Sequence, residues 1–333
     1  MASTQGPVTT SGETSELSVK YETPMGLAHG TMQALKDRIK LHYDLASDYY
    51  LRLWGEHIHH GYWPTPESKT SESKEQAQIN LIRLLLTSAS LPPSPSPSPL
   101  RVLDVGCGLG GTSRYLATTL GCSVTGITIS PKQVEMATRL SKTEAEKNGA
   151  SSAVDAEGFI SLGGEKGKVR FVEMDAEKMD REFEGRGFDV VWISEALSHI
   201  PGKDNFFGNA FKVLREGGKL VIADWFKAEG LEGENADIKA IEDGMLLPPL
   251  QTQQGYVQLA KAAGFSVVSE PKDISNDVSK TWDISWSLVQ NPALWAFAFS
   301  QGRDGIAFLQ AFRAMRRGYA NGSFRYAVMA FVK

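Results

Sequence analysis

Apolar residues fall into two regimes along this chain. Before residue 91 they recur at helical spacing, as Met32, Leu35 and Ile39 and then Ile79, Ile82 and Leu85, the signature of one buried helix face. From Leu100 onward, short apolar runs alternate with amphipathic stretches. Arg101–Val105, Ser123–Ile127, Val169–Glu173, Phe188–Ile193, Lys219–Ala223, Phe265–Glu270 and the alternating Phe324–Val332 read as strands. Thr112–Thr119, Pro131–Lys147, Phe206–Leu214 and Gly255–Ala263 read as intervening helices, the second with proline placed near its start. Gly217-Gly218 reads as a turn, and Ile284–Met315 as one aromatic-rich helical stretch. Strands and helices in alternation predict an α/β fold on a largely parallel sheet.

The same pattern divides the chain. Residues 1–25, rich in Ser, Thr, Gly and Glu, read as a disordered tail without the apolar core of a signal peptide. Residues 26–90 form an N-terminal helical lid segment, and residues 91–100 a Pro/Ser linker stiffened by its prolines. Residues 101–333 form the main domain, with a Gly- and Glu-rich surface insertion over 148–168 and a helical cap over about 273–320.

Composition narrows the class. The 333 residues are 41% hydrophobic, enough for one large core. A net charge of −4 without a basic block argues against a nucleic-acid partner. Cys107 and Cys122 fit neither a disulfide framework nor a metal motif, which points to a reducing, cytoplasmic setting. No apolar run reaches the ~18 residues that a membrane helix requires.

Chemistry concentrates at strand ends. Val102-Leu-Asp-Val-Gly-Cys-Gly-Leu-Gly-Gly111 carries a GxGxxG pattern in Gly106, Gly108 and Gly111. Glycines allow close backbone approach to a ligand, and the following helix offers free N–H groups. Nicotinamide enzymes use the same device, but Asp104 would repel a pyrophosphate and attract a cationic amine or sulfonium. Asp104–Gly111 resembles the first motif of class I S-adenosylmethionine (SAM)-dependent methyltransferases. That resemblance implies a Rossmann-like sheet with an antiparallel last strand, SAM as cofactor, and Asp104, Gly106, Gly108 and Gly110 in its site.

Further blocks follow in the order of that class. Gly126-Ile-Thr-Ile-Ser-Pro-Lys-Gln133 lacks the usual ribose-binding acid. It resembles the GxTxSxxQ run of tocopherol methyltransferases and cyclopropane synthase relatives, which implies Gln133 at the ribose with Thr128 beside it. Asp175 and Ala176 end the third strand where the family contacts adenine, although Asp175 also suits a helix cap. Phe188–Ser194 resembles the fourth strand, so Ser194 would border the cofactor. Beyond it, Glu195, Ser198 and His199 would open over the transferable methyl. Leu41–Trp63 resembles the N-terminal signature of tocopherol-type and sterol C-methyltransferases, which implies Tyr43 over the methionine part and Trp63 along the reaction chamber. Trp282 and Trp286 are candidate walls of an apolar acceptor pocket. The i, i+2, i+3 spacing of His57, His59 and His60 is poor metal geometry, so no metal is expected.

The expected activity is SAM-dependent methyl transfer to an O, N or activated C of a small, moderately apolar molecule of the secondary-metabolite kind. His199 is the expected base, Glu195 the assistant and His60 the reserve. A SAM-fold cyclase or pericyclase, or a non-catalytic ligand-binding module, are the alternatives. The sequence specifies neither the acceptor nor the oligomeric state.

Overall fold

A computed structural model describes residues 32–91, 99–231, 233–289 and 303–333, together with Trp295. The tail over 1–25 and most of the 91–100 linker lie outside the described residues. Eight strands form one mixed sheet in the order β3-β4-β2-β1-β5-β6-β8-β7. They are β1 (Arg101–Val105), β2 (Ser123–Thr128), β3 (Ile160–Ser161), β4 (Lys168–Glu173), β5 (Phe188–Ser194), β6 (Leu214–Lys227), β7 (Ser266–Asp273) and β8 (Phe324–Val332). β4, β2, β1, β5 and β6 run parallel, while β8 is antiparallel to both neighbours. This is an α/β, Rossmann-like sheet with an antiparallel last strand, as the resemblance implies.

Strand alternation sorts side chains onto the two faces. In β5, Val190 and Trp192 join the cluster containing Leu85, Val221 and Tyr326. Val191 and Ile193 join Phe206, Phe207, Tyr256 and Phe331 on the other face. Burying each large side chain contributes about 1.5–3 kcal/mol, so this two-sided core holds the sheet edges that carry the site.

Four elements frame the open end of the sheet. Helix α1 (Met32–Trp54) buries Leu35, Ile39 and Ala46, the first two packed with Leu246. Helix α2 (Lys74–Ser88) starts at a Ser73 cap whose hydroxyl accepts from Gln76 N–H. Helix α3 (Gly111–Leu120) follows β1, and α4 (Pro131–Lys147) follows β2 behind a Ser130 cap that accepts from Gln133 N–H. The 26–90 segment is therefore not helical throughout. Residues His57–Trp63 run extended, and neighbouring groups satisfy their backbone. Gln78 donates its amide to His57 O and His59 O, Tyr62 N–H bonds Ala77 O, Gly61 N–H bonds Thr281 Oγ1, and Trp63 N–H bonds Asp277 O.

Two local readings change. Residues 148–168 do more than loop over the surface: they place β3 at the sheet edge and bury Phe159, Ile160 and Leu162. Gly217-Gly218 falls inside β6, at a register irregularity against β5, instead of forming a turn before it. Within the stretch 284–315, α5 (Lys280–Val289) and α6 (Arg303–Asn321) are helical, while 290–294 and 296–302 lie outside the described residues.

Candidate active site

The chain passes from β1 to β2 and β4 on one side and to β5 and β6 on the other. The topological switch therefore lies between β1 and β5, where such sheets open a crevice at their C-terminal ends. A cavity lies there. Asp104 through Leu109 line it from the β1 end, Thr128 and Gln133 from β2, Asp175 and Ala176 from β4, and Ser194 and Glu195 from β5. Lys36, Ile39 and Tyr43 of α1, with Glu56–His59, close it from above.

The glycine loop is shaped for close approach. Gly106 sits at φ +71°, and a Cβ there would lie 2.3 Å from the Ala196 Cβ. At Gly110, φ +75°, a Cβ would meet the Phe171 ring at 2.6 Å. The Gly106 and Cys107 N–H groups both bond Ile127 O, which folds the loop onto β2. Gly108 also lines the cavity.

The polar groups have capacity left for a ligand. Asp104 is buried and accepts from Ser113 Oγ at 2.5 Å on Oδ2 alone. Burial raises its carboxyl to about 6, with the Ser113 hydrogen bond opposing, so a cationic ligand group would be its natural partner. Thr128 Oγ1 donates to Gln133 Oε1 at 2.6 Å, which leaves the Gln133 NH2 as a donor where the class usually has an acid. Ser194 Oγ is buried without a hydrogen-bond partner. Asp175 is doubly used: Oδ1 caps the Glu177 N–H and Oδ2 receives Lys36 Nζ at 2.8 Å. A donor-lined, acid-headed cavity with an orphaned hydroxyl fits SAM. Asp104 would hold its amino group, Gln133 the ribose, and Asp175 with Ala176 the adenine.

A second cavity adjoins the first and shares lining residues with it. Its walls are mostly aromatic and aliphatic, including Tyr50, Trp54, Trp225, Leu246, Trp282 and Phe312. Tyr43, Ile58, His59, Glu195 and His199 line both cavities and so form the window between them. Glu195 sits at φ +56°, unusual for a non-glycine residue. Three bonds fix its carboxylate. Oε1 accepts from His60 N–H at 2.6 Å and from Tyr326 OH at 2.7 Å, and Oε2 lies 2.9 Å from His60 Nδ1. Burial pushes this carboxyl up, but His60 and His59 outweigh burial and hold it below the ordinary glutamate range. Glu195 is thus committed to His60 and Tyr326. His60 lines the second cavity and lies 3.4 Å from Tyr319 OH through Nε2. Burial drives His199 down to about 3, so its ring is neutral at physiological pH, with Nε2 3.3 Å from Tyr43 OH.

Four expected site residues line neither cavity. Gly110, at φ +75°, instead packs against the Phe171 ring. Trp63 is fully buried. Its ring sits against Gly61, with Lys280 Nζ 5.0 Å from its centroid, so it anchors the extended segment. Ser198 is buried next to Lys203, which donates to its carbonyl, and its Oγ has no hydrogen-bond partner. Trp286 faces an outer groove under Arg313 and Arg316, 5.3 and 5.4 Å from its ring. On α5 the cavity face is Thr281, Trp282 and Ser285, and Trp286 lies one step past its edge. Phe308, an aromatic expected to help wall an apolar pocket, lines the second cavity, and so do Trp225, Tyr50 and Phe312, which were not singled out. Trp225 was findable, since alternation puts it on the face of Val221 and Ala223 at the C-terminal end of β6. The others sit on helices where an aromatic reads equally as core. Among the described residues, no group of three His, Cys, Asp or Glu side chains is placed to hold a metal ion.

Comparison with known proteins agrees with this geometry. Residues 103–222 match the family described as a methyltransferase domain. The chain is 30% identical to 27-O-demethylrifamycin SV methyltransferase of Amycolatopsis mediterranei over 246 residues, 74% of this chain and 78% of that one. It is 27% identical to the chloroplastic tocopherol O-methyltransferase of Arabidopsis thaliana over 315 residues, 90% of this chain and 83% of that one. The crystal structure of geranyl diphosphate C-methyltransferase from Streptomyces coelicolor A3(2), with S-adenosyl-L-homocysteine bound, superimposes with TM-score 0.67 at 15% identity, covering 90% of this chain and 97% of that one. The chain belongs to the class I SAM-dependent methyltransferases. Within them it falls in the subgroup of tocopherol O-methyltransferase-like and sterol C-methyltransferase-like enzymes, and SAM is its cofactor.

Proposed function

We propose that this enzyme methylates an oxygen or nitrogen, or an activated carbon, of a moderately apolar small molecule held in the second cavity. The observation that carries the reading is the pair of cavities meeting at one window of Tyr43, Ile58, His59, Glu195 and His199. SAM supplies an already activated methyl group, so the protein's task is to orient the acceptor and keep water away. The aromatic and aliphatic wall suits a hydrophobic acceptor of the secondary-metabolite kind. Trp282, at 5.2 Å from the His60 ring and 5.5 Å from Phe312, would bear on its flat face. Glu195 fixes His60, while His199 and Tyr43 orient the reacting atom. The reducing-compartment reading is supported by two buried, unpaired thiols, Cys107 and Cys122. Among the described residues no helix is long and apolar enough to cross a membrane.

The test is a mass-spectrometric screen of phenols, hydroxylated macrolactones, sterols and amines with the full-length enzyme and SAM. The expected product is one CH2 heavier than its acceptor, with S-adenosylhomocysteine (SAH) formed in equal amount. An isomer of the starting compound would instead establish cyclase chemistry. SAH affinity without turnover on any compound would leave a binding module.

A further inference from the structure

Beyond this reading, and resting on it, we infer that His59 is the proton acceptor at the window, its Nε2 taking the proton of the acceptor's O–H or N–H. His59 is only 6% exposed and lines both cavities. Its Nδ1 lies 2.9 Å from His60 O. A carbonyl oxygen can only accept, so Nδ1 carries the hydrogen and Nε2 is a bare lone pair. That Nε2 is buried and has no hydrogen-bond partner. Of the other polar groups at the window, the Glu195 carboxylate and Tyr43 OH are engaged, while His199 is held through Nε2 and its buried Nδ1 also has no hydrogen-bond partner. Glu195 has both oxygens bound to His60 and Tyr326, and Tyr43 OH lies 3.3 Å from His199 Nε2.

The surroundings suit a transient base. Burial holds the ring below the ordinary histidine range, so it starts neutral, and the Glu195 carboxylate opposes that effect and would steady an imidazolium. In the transfer, the acceptor's lone pair forms the bond to the methyl carbon and the C–S electron pair returns to sulfur. The acceptor's proton moves to Nε2 and leaves to water with product. Gln78 and the His60 carbonyl hold the segment on both sides, since the Gln78 amide donates to His57 O and His59 O. The ring is thereby fixed before any ligand arrives.

Two measurements decide the assignment. In SAH-loaded, 15N-histidine-labelled full-length protein, the His59 ring should show the Nδ1–H tautomer with an unprotonated Nε2 at neutral pH. An Nε2–H tautomer or a cationic ring there overturns the inference. With an acceptor from the mass screen, His59→Gln should lose about 100-fold or more in kcat, the scale of a general base, while SAH affinity by calorimetry stays within about threefold. His59→Asn, which keeps a donor toward His60 O, should fold and bind SAH but lose as much. A wild type active beside an equally active His59→Gln overturns the His59 assignment alone. A wild type that methylates nothing overturns the underlying reading and this one together.

Discussion

Lys36 Nζ lies 2.8 Å from Asp175 Oδ2 and also pairs with Glu177, so one lysine of α1 grips the acidic strand end expected to meet adenine. Lys40 reaches Glu173 at 2.5 Å, and Asp44 Oδ1 accepts from Ser130 Oγ at 2.5 Å. Helix α1 is therefore fastened across the cofactor cavity by polar bonds with partly exposed ends, in addition to its buried Leu35, Ile39 and Ala46. Such pairs contribute only ~0.2–1 kcal/mol each and weaken with salt.

Lys36→Met should loosen this fastening without unfolding the domain. We expect trypsin to cut at Arg38 and Lys40 several-fold faster in the variant, with saturating SAH restoring part of the protection. Equal cleavage rates in both proteins would rule the fastening out. In the wild type, raising ionic strength should move cleavage in the same direction.

Asp104 makes cofactor affinity depend on pH. Its free-state carboxyl is raised to about 6, and a cationic ligand binds the ionised form. Affinity should be level above about pH 7 and fall toward tenfold per unit below about pH 6. Titration calorimetry with SAM from pH 5 to 8 would show it, and Asp104→Asn should flatten the dependence at about 10–100-fold weaker binding. The same raised value means that ionised Asp104 destabilises the ligand-free fold above about pH 6. Asp104→Asn should accordingly melt no lower than wild type at pH 8 when no ligand is present.

Gly106→Ala combines a disfavoured φ of +71° with a Cβ that would lie 2.3 Å from Ala196 Cβ. A loss of about 1–3 kcal/mol in stability is expected, together with SAH binding too weak for calorimetry. Wild-type affinity in this variant would contradict the close approach described here.

Trp225 and Trp282 set the size of the acceptor chamber. Trp225 is nearly buried, with ring centroids 6.0 Å from His60 and 6.1 Å from His199. Trp225→Ala should raise KM for the wild-type acceptor by tenfold or more and admit bulkier relatives, leaving SAH affinity intact. A change confined to SAH affinity would place Trp225 on the wrong cavity.

Much of this was legible before any coordinates because it rests on local chemistry. Glycines at 106 and 108, an acid two residues ahead of the first, and the strand-end order Thr128, Asp175, Ser194 line the first cavity where chain direction alone puts them. Other features depend on contacts remote in sequence. The Glu195 carboxylate is absorbed by His60 and Tyr326, from segments about 130 residues away on either side. Trp63 and Trp286 look like pocket walls by residue type. The first is drawn into the core by Gly61 and Lys280, and the second is turned outward by its place on α5. His59 gave no signal of its own, because its lone pair is defined by the next residue's carbonyl.

With α1 bridging the mouth through Lys36, Ile39 and Tyr43, release of spent SAH should require that bridge to lift. Turnover should then keep the tempo of a hinge rather than of bond-making, with a fast first cycle and a slower train behind it. Selection for speed in such an enzyme would act on a handful of surface charges far from the carbon being transferred.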